Sequence, residues 1–175
     1  MMTYIYPGIL LMMFSGCSFY SPSVHPPLET VASVDVQRYA GLWYEIASLP
    51  FSRQEGCSCT KAEYAILEEG VLTVTNSCRK EDGITTAVGK AFVVEGSNNA
   101  KLRVQFFWPF KGDYWVIDLA DDYSYAVVGV PSRKYCWILS RTKVMDETVY
   151  AGILERIKAK GFDVTKFNRT VQECE

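Results

Sequence analysis

Between residues 41 and 141, apolar and polar positions alternate in short runs, the period of strands with one buried face. The runs cover 41–49, 60–67, 71–77, 86–94, 102–108, 114–119, 125–130 and 135–141. Turn residues separate them, among them Glu68-Glu69-Gly70, Asp82-Gly83, Gly96-Ser97-Asn98-Asn99 and Pro109. Every gap is short, and antiparallel neighbours need only short turns. Eight strands at this spacing predict a closed barrel or a sandwich. Beyond residue 141 the period changes. Asp146 suits a helix N-cap, Val149, Ile153, Leu154 and Ile157 form one apolar stripe, and Lys158, Lys160 and Gly161 mark the end. Gly152 inside this helix costs about 1 kcal/mol relative to Ala, so packing on the barrel wall is expected to hold it.

The N-terminal apolar run, centred on 9–14, is too short to span a bilayer comfortably. It leads into Phe14-Ser15-Gly16-Cys17, which resembles the lipobox of bacterial lipoproteins. That resemblance implies cleavage before Cys17, a lipid on its thiol, and anchoring at the outer membrane, periplasmic face, with Ser18 resembling the enterobacterial sorting residue. Phe14 replaces the usual Leu, and no Lys or Arg precedes the run. Ser21-Pro22-Ser23 and Pro26-Pro27 disfavour helix and central strand, so an extended tether is expected. The chain thus divides into a signal peptide (1–16), a lipid-anchored linker (17–33) and one folded domain (34–175).

Net charge is −2, and no basic face is clustered, which argues against a nucleic-acid partner. The single histidine, His25, lies outside every periodic segment. Imidazole-based nucleophilic chemistry and a His-ligated metal are therefore disfavoured, and no cofactor is expected. Six cysteines occur; with Cys17 lipidated, five remain and one is left over. Export permits disulfides among Cys57, Cys59, Cys78 and Cys174. A four-thiolate zinc site from the same residues is the competing reading, though Cys-x-Cys is a poor zinc spacing. Alternation points Cys136 outward, against the helix, as a buried free thiol.

Three ordered segments carry a family resemblance. Gly41-Leu42-Trp43 resembles the Gly-x-Trp motif of the first lipocalin strand, Asp121-Asp122-Tyr123 is similar to the Thr-Asp-Tyr turn, and Trp137-Ile138-Leu139-Ser140-Arg141 resembles the end of the eighth strand. Leu102 to Pro109 and Phe162 to Phe167 are similar to the bacterial lipoprotein and apolipoprotein D branch. The implied fold is all-β: an eight-stranded antiparallel up-and-down barrel with one C-terminal α-helix packed outside. Gly41, Trp43 and Arg141 then close the barrel, with the Arg guanidinium over the Trp ring. Resemblance to apolipoprotein D implies a bridge Cys59–Cys174, leaving Cys57–Cys78. The swapped pairing fits nearly as well, and the whole set resembles plant chloroplastic lipocalins.

Alternation from Trp43 sends Glu45, Ala47 and Leu49 inward, and alternation from Arg141 sends Leu139, Trp137 and Tyr135 inward. On the fifth strand Leu102, Val104 and Phe106 share the more apolar face. The expected ligand lining is Tyr64, Val104, Phe106, Tyr114, Trp137 and Leu139. The resemblance implies transport of a fatty acid or lysophospholipid in the lumen, without catalysis. Alternatives are a pigment or retinoid carrier, and an enzyme acting on a lipid or carotenoid through Cys57, Cys59, Glu45 or Asp118. Leu49-Pro50-Phe51 and Phe107-Trp108-Pro109-Phe110 sit near the expected mouth, where they suit an acyl grip, a homodimer surface or a bilayer contact. Asn168-Arg169-Thr170 is a glycosylation sequon that a bacterial lipoprotein would leave unused.

Overall fold

A computed structural model describes residues 25–174. The proposed signal peptide, Cys17 and the first part of the linker lie outside the described residues. A short helix α1 (Val36–Tyr39) leads into β1 (Gly41–Ser48), followed by β2 (Ser58–Glu68), β3 (Val71–Lys80), β4 (Gly83–Val93), β5 (Lys101–Phe107), β6 (Phe110–Leu119), β7 (Tyr125–Gly129) and β8 (Cys136–Ser140). Each strand pairs antiparallel with the next, and β8 pairs with β1. The β1–β2 ladder, Gly41 opposite Tyr64 through Tyr44 opposite Lys61, closes the barrel.

Two apolar clusters form on the two sides of this wall. The inner one gathers Trp43, Tyr64, Val74, Leu102, Val128 and Leu139. The outer one lies beneath helix α2 (Glu147–Ala159) and includes Ile117, Val127, Cys136, Ile138, Ile153 and Ile157. Asp146 caps the helix, accepting from the amides of Thr148 and Val149. Ile153 and Ile157 are fully buried, whereas Val149 is 40% exposed and stands outside the stripe. Tyr150 packs on the outer cluster in that turn.

Simple alternation fails at one place in β1. Glu45 opposes Leu139, but Ala47 opposes Ile138 and Ser48 opposes Trp137, so Ile46 is an extra residue. Such a bulge exchanges the faces beyond it. Ala47 and Leu49, expected inward with Trp43, therefore join the outer cluster, and Ser48 turns inward opposite Trp137.

Beyond the bulge β1 and β2 part. The C-terminal segment enters the gap as β9 (Asn168–Arg169), paired with Ala47 and Ser48. The Thr170 amide donates to the Ile46 carbonyl at 2.9 Å, and the Cys59 amide donates to the Val171 carbonyl at 2.7 Å. Gln172 Nε2 bridges the carbonyls of Glu45 and Thr60. The segment 25–33, expected to be part of an extended tether, is seated on the barrel. Leu28 is buried in the outer cluster, the Val31 amide donates to the Val116 carbonyl, and Arg133 donates to the Pro26 carbonyl.

Candidate functional site: the barrel lumen

The base of the barrel is sealed by Trp43, which is fully buried. Its indole N–H donates to the Tyr39 carbonyl at 2.8 Å. Arg141 lies over its ring, 3.6 Å from the centroid. The guanidinium donates to the carbonyls of Arg38, Tyr39, Ala40 and Leu42. One side chain thus satisfies the exposed carbonyls where α1 ends and caps the indole as a cation. Gly41 has φ +94°, and a Cβ there would stand 3.5 Å from Arg141. Only glycine takes that backbone turn without strain. The Asp121–Tyr123 turn completes the seal: Arg38 stacks on Tyr123 and donates to the Asp121 carbonyl, and the Asp35 amide donates to the Tyr123 hydroxyl. The three sequence segments that carried the family resemblance therefore meet at one end.

Above this base the strand register fixes which residues face inward. Trp43 opposes Ala62, Ala62 opposes Asn76, and Asn76 opposes Ala87. Ala91 opposes Val104, and Leu102 opposes Tyr114. Val128 opposes both Val116 and Trp137. Opposed residues share a face, so these side chains line one interior. Burial falls steadily along it. Ala91, Leu102 and Val116 are buried near the base; Val104, Phe106, Tyr114 and Trp137 are half-buried above; Ala87 and Thr85 face inward yet are exposed. The interior is thus closed at Trp43 and most exposed at the other end, where the β3–β4 hairpin stands. Gly89, between those levels, gives way to its neighbour: a Cβ there would lie 2.8 Å from the Phe106 ring.

Tyr64, Val104, Phe106, Tyr114, Trp137 and Leu139 all belong to or pack on the inner cluster. Sequence reasoning missed Tyr39, because four residues of helix carry no strand period. It also missed Gln54, a loop residue. The Tyr114 hydroxyl stands 2.7 Å from that of Tyr39 and accepts from Tyr64 at 2.9 Å. Burial raises all three phenol pKa values, that of Tyr64 to about 12. They are neutral donors at any physiological pH.

Toward the mouth, Trp137 Nε1 donates to Gln54 Oε1, and Gln54 Nε2 donates to Glu45 Oε2 at 2.7 Å. Glu45 also accepts from Ser48 and from Thr170. Its carboxylate floors a polar cleft of about 560 Å³ beneath the 49–57 loop, between that loop and β9. Phe51, Tyr135 and Trp137 pack together there, with centroids 5.0 to 6.0 Å apart. Trp108, in the β5–β6 turn at the mouth, and Phe110, the first residue of β6, are 87% and 77% exposed.

The cysteine question resolves to Cys57–Cys78 and Cys59–Cys174, so none of the four is a free thiolate for zinc or nucleophilic chemistry. Cys136 is a buried free thiol in the outer cluster, and burial pushes its pKa well up. Asp118 faces the helix and holds Arg156 at 2.8 Å. Three groups of the enzyme alternative, Cys57, Cys59 and Asp118, are thus engaged in structural contacts, and Glu45 accepts from two hydroxyls and one amide.

Residues 34–172 match the lipocalin-like domain family. The chain is 38% identical over 162 residues to temperature-induced lipocalin-1 of Arabidopsis thaliana, covering 83% of each chain. It is 38% identical over 154 residues to the outer membrane lipoprotein Blc of Escherichia coli K12, covering 87% of this chain and 86% of that one. Bovine apolipoprotein D is 32% identical over 158 residues, covering 85% and 81%. Among solved structures, insecticyanin of the tobacco hornworm superposes with a TM-score of 0.70 at 24% identity, covering 86% and 87%. That last likeness speaks to the fold alone.

Proposed function

This chain belongs to the lipocalin family, and from that premise we propose that it carries an elongated apolar lipid, a fatty acid or lysophospholipid, in the lumen of its barrel. The observation that carries the reading is the burial gradient along the inward face. A cup sealed by Trp43 and lined by Val104, Phe106, Tyr114 and Trp137 suits a chain that enters from the mouth. Each buried CH₂ contributes about 0.8 kcal/mol, so a long acyl chain needs few polar contacts. Below the rim, the inward positions traced by the register carry no Lys or Arg, whereas Lys80 stands at the rim itself, opposite Gly83. A charged headgroup accordingly belongs at the mouth and the chain below it. Binding, not catalysis, is the proposed activity.

The likeness to outer membrane lipoproteins of Vibrio cholerae and Escherichia coli supports a lipid on Cys17 and residence at the outer membrane. Delipidated protein should bind a fluorescent fatty acid saturably, with displacement by lysophospholipid; linear, non-saturating uptake would defeat the carrier reading. Metabolic labelling with palmitate tests the anchor separately: label should enter the wild-type protein and be lost in Cys17→Ala.

A further inference from the structure

The three phenols at the lower half of the lumen hold more donors than the described residues offer acceptors for them. Tyr39, Tyr64 and Tyr114 carry one hydroxyl proton each, and two hydrogen bonds join them through Tyr114. Tyr64 spends its proton on Tyr114. The remaining contact consumes one more, whichever of Tyr39 and Tyr114 donates. One O–H, on Tyr39 or Tyr114, is left with no acceptor among the described residues, at the inner apolar cluster. One inward position nearer the mouth, Asn76 presents the opposite deficit: its Oδ1 is buried and meets no donor among the described residues. Unmatched buried polar groups are rare in folded proteins, and two of opposite sense on one inner wall form a complementary pair of sites. The register places Tyr64 opposite Val74, so Tyr64 and Asn76 are diagonal neighbours on adjacent strands.

We propose that the lumenal part of the ligand carries a neutral oxygen, a carbonyl or hydroxyl, that accepts the spare phenol proton of the Tyr39–Tyr114–Tyr64 cluster. Charge selects against an anionic oxygen at this depth. The cation at the base, Arg141, directs its Nη1 and Nη2 donors to the backbone carbonyls of Arg38, Tyr39, Ala40 and Leu42. A carboxylate there would be desolvated without a counter-ion, whereas a ketone, ester or alcohol exchanges one hydrogen bond with water for one with the phenol. A hydroxyl has the further advantage of donating to Asn76 Oδ1. This inference rests on the carrier reading and narrows it to oxygenated chains.

The test is displacement of a fluorescent fatty acid from delipidated protein by an n-alkane, a methyl ketone and an alcohol of matched chain length. The ketone and alcohol should bind about tenfold more tightly than the alkane, the worth of one net hydrogen bond. Tyr64→Phe leaves the Tyr39–Tyr114 pair with its spare proton, so the preference should persist. Replacing all three tyrosines by Phe should erase it. On binding, the carbonyl band of an isotopically labelled ketone should shift to lower frequency, a readout that needs only the wild-type protein if the triple variant does not fold. Equal binding of ketone and alkane, an unshifted band, or a preference that survives in a folded triple variant would each overturn the proposal while leaving the carrier reading intact. Absence of saturable binding for the fluorescent fatty acid itself would overturn both.

Discussion

Arg141 shows how much one side chain can organise. It joins a cation over an indole to four carbonyl acceptors, and no other residue type offers that planar fork. Arg141→Lys keeps the charge and loses the fork. We expect it to destabilise the protein by about 2–4 kcal/mol, given the strength of charged hydrogen bonds, with the loss read from urea unfolding. The buried phenols give a prediction of opposite character. Tyr64 ionises near pH 12 when folded but near 10 when unfolded. Between those values the unfolded chain releases a proton that the folded chain keeps, so stability present below pH 10 is lost as pH rises toward 12. Tyrosinate absorbance should therefore show Tyr39, Tyr64 and Tyr114 silent until the alkaline unfolding transition. Three separate titrations without unfolding would contradict their burial. The closing residues Trp43 and Arg141 were legible in the sequence because a motif marks them. Tyr39, Gln54 and Thr170 were not, because what places them is a short helix, a loop and a late segment, none with a period to read.

At the scale of elements, alternation located eight strands and the helix, and mistook two side chains after the β1 bulge. A period-two pattern has no means of signalling an inserted residue inside an apolar stretch, and Ile46 and Ala47 are both apolar. The helix depends on packing. Ile157→Ala should cost about 2–5 kcal/mol, as large-to-small core substitutions do, and should make the Cys136 thiol reactive toward a maleimide well before global unfolding. The β9 segment was invisible beforehand, since its pairing partner lies more than a hundred residues upstream. Cys174→Ser removes its covalent tie to β2. The amides of Thr170 and Cys59 should then exchange with deuterium faster, while those of β6 and β7 keep their protection; unchanged exchange at Thr170 would show that hydrogen bonds alone hold the segment.

For the whole molecule, the two ends of the barrel have divided labour. The base is built from backbone carbonyls, one cation and stacked rings, and it is what the sequence motif encodes. The wall above it is set by register, and the mouth by loops whose side chains no motif specifies. This is why the family and fold could be read from Gly41, Trp43, Asp122, Tyr123 and Arg141, while the polar arrangement within the cup is set only by tertiary packing. It also predicts how variation should distribute its effects. Phe106→Ala enlarges the half-buried tier of the cup and should weaken fatty-acid binding about tenfold or more through lost apolar contact, with a smaller change in melting temperature than Arg141→Lys produces.

The split seam between β1 and β2 has a consequence for how the protein is made. Ribosomes deliver β1 and β2 early, but the strand that fills the seam, and the Thr170 hydroxyl that reaches Glu45, emerge some 125 residues later. Until then a nascent barrel has an unpaired strand edge, and a carboxylate that needs water in place of a partner. Closure is thus a late event in biosynthesis, scheduled by chain order and not by local propensity. Throughout that interval the edge is open to whatever holds unfinished chains apart.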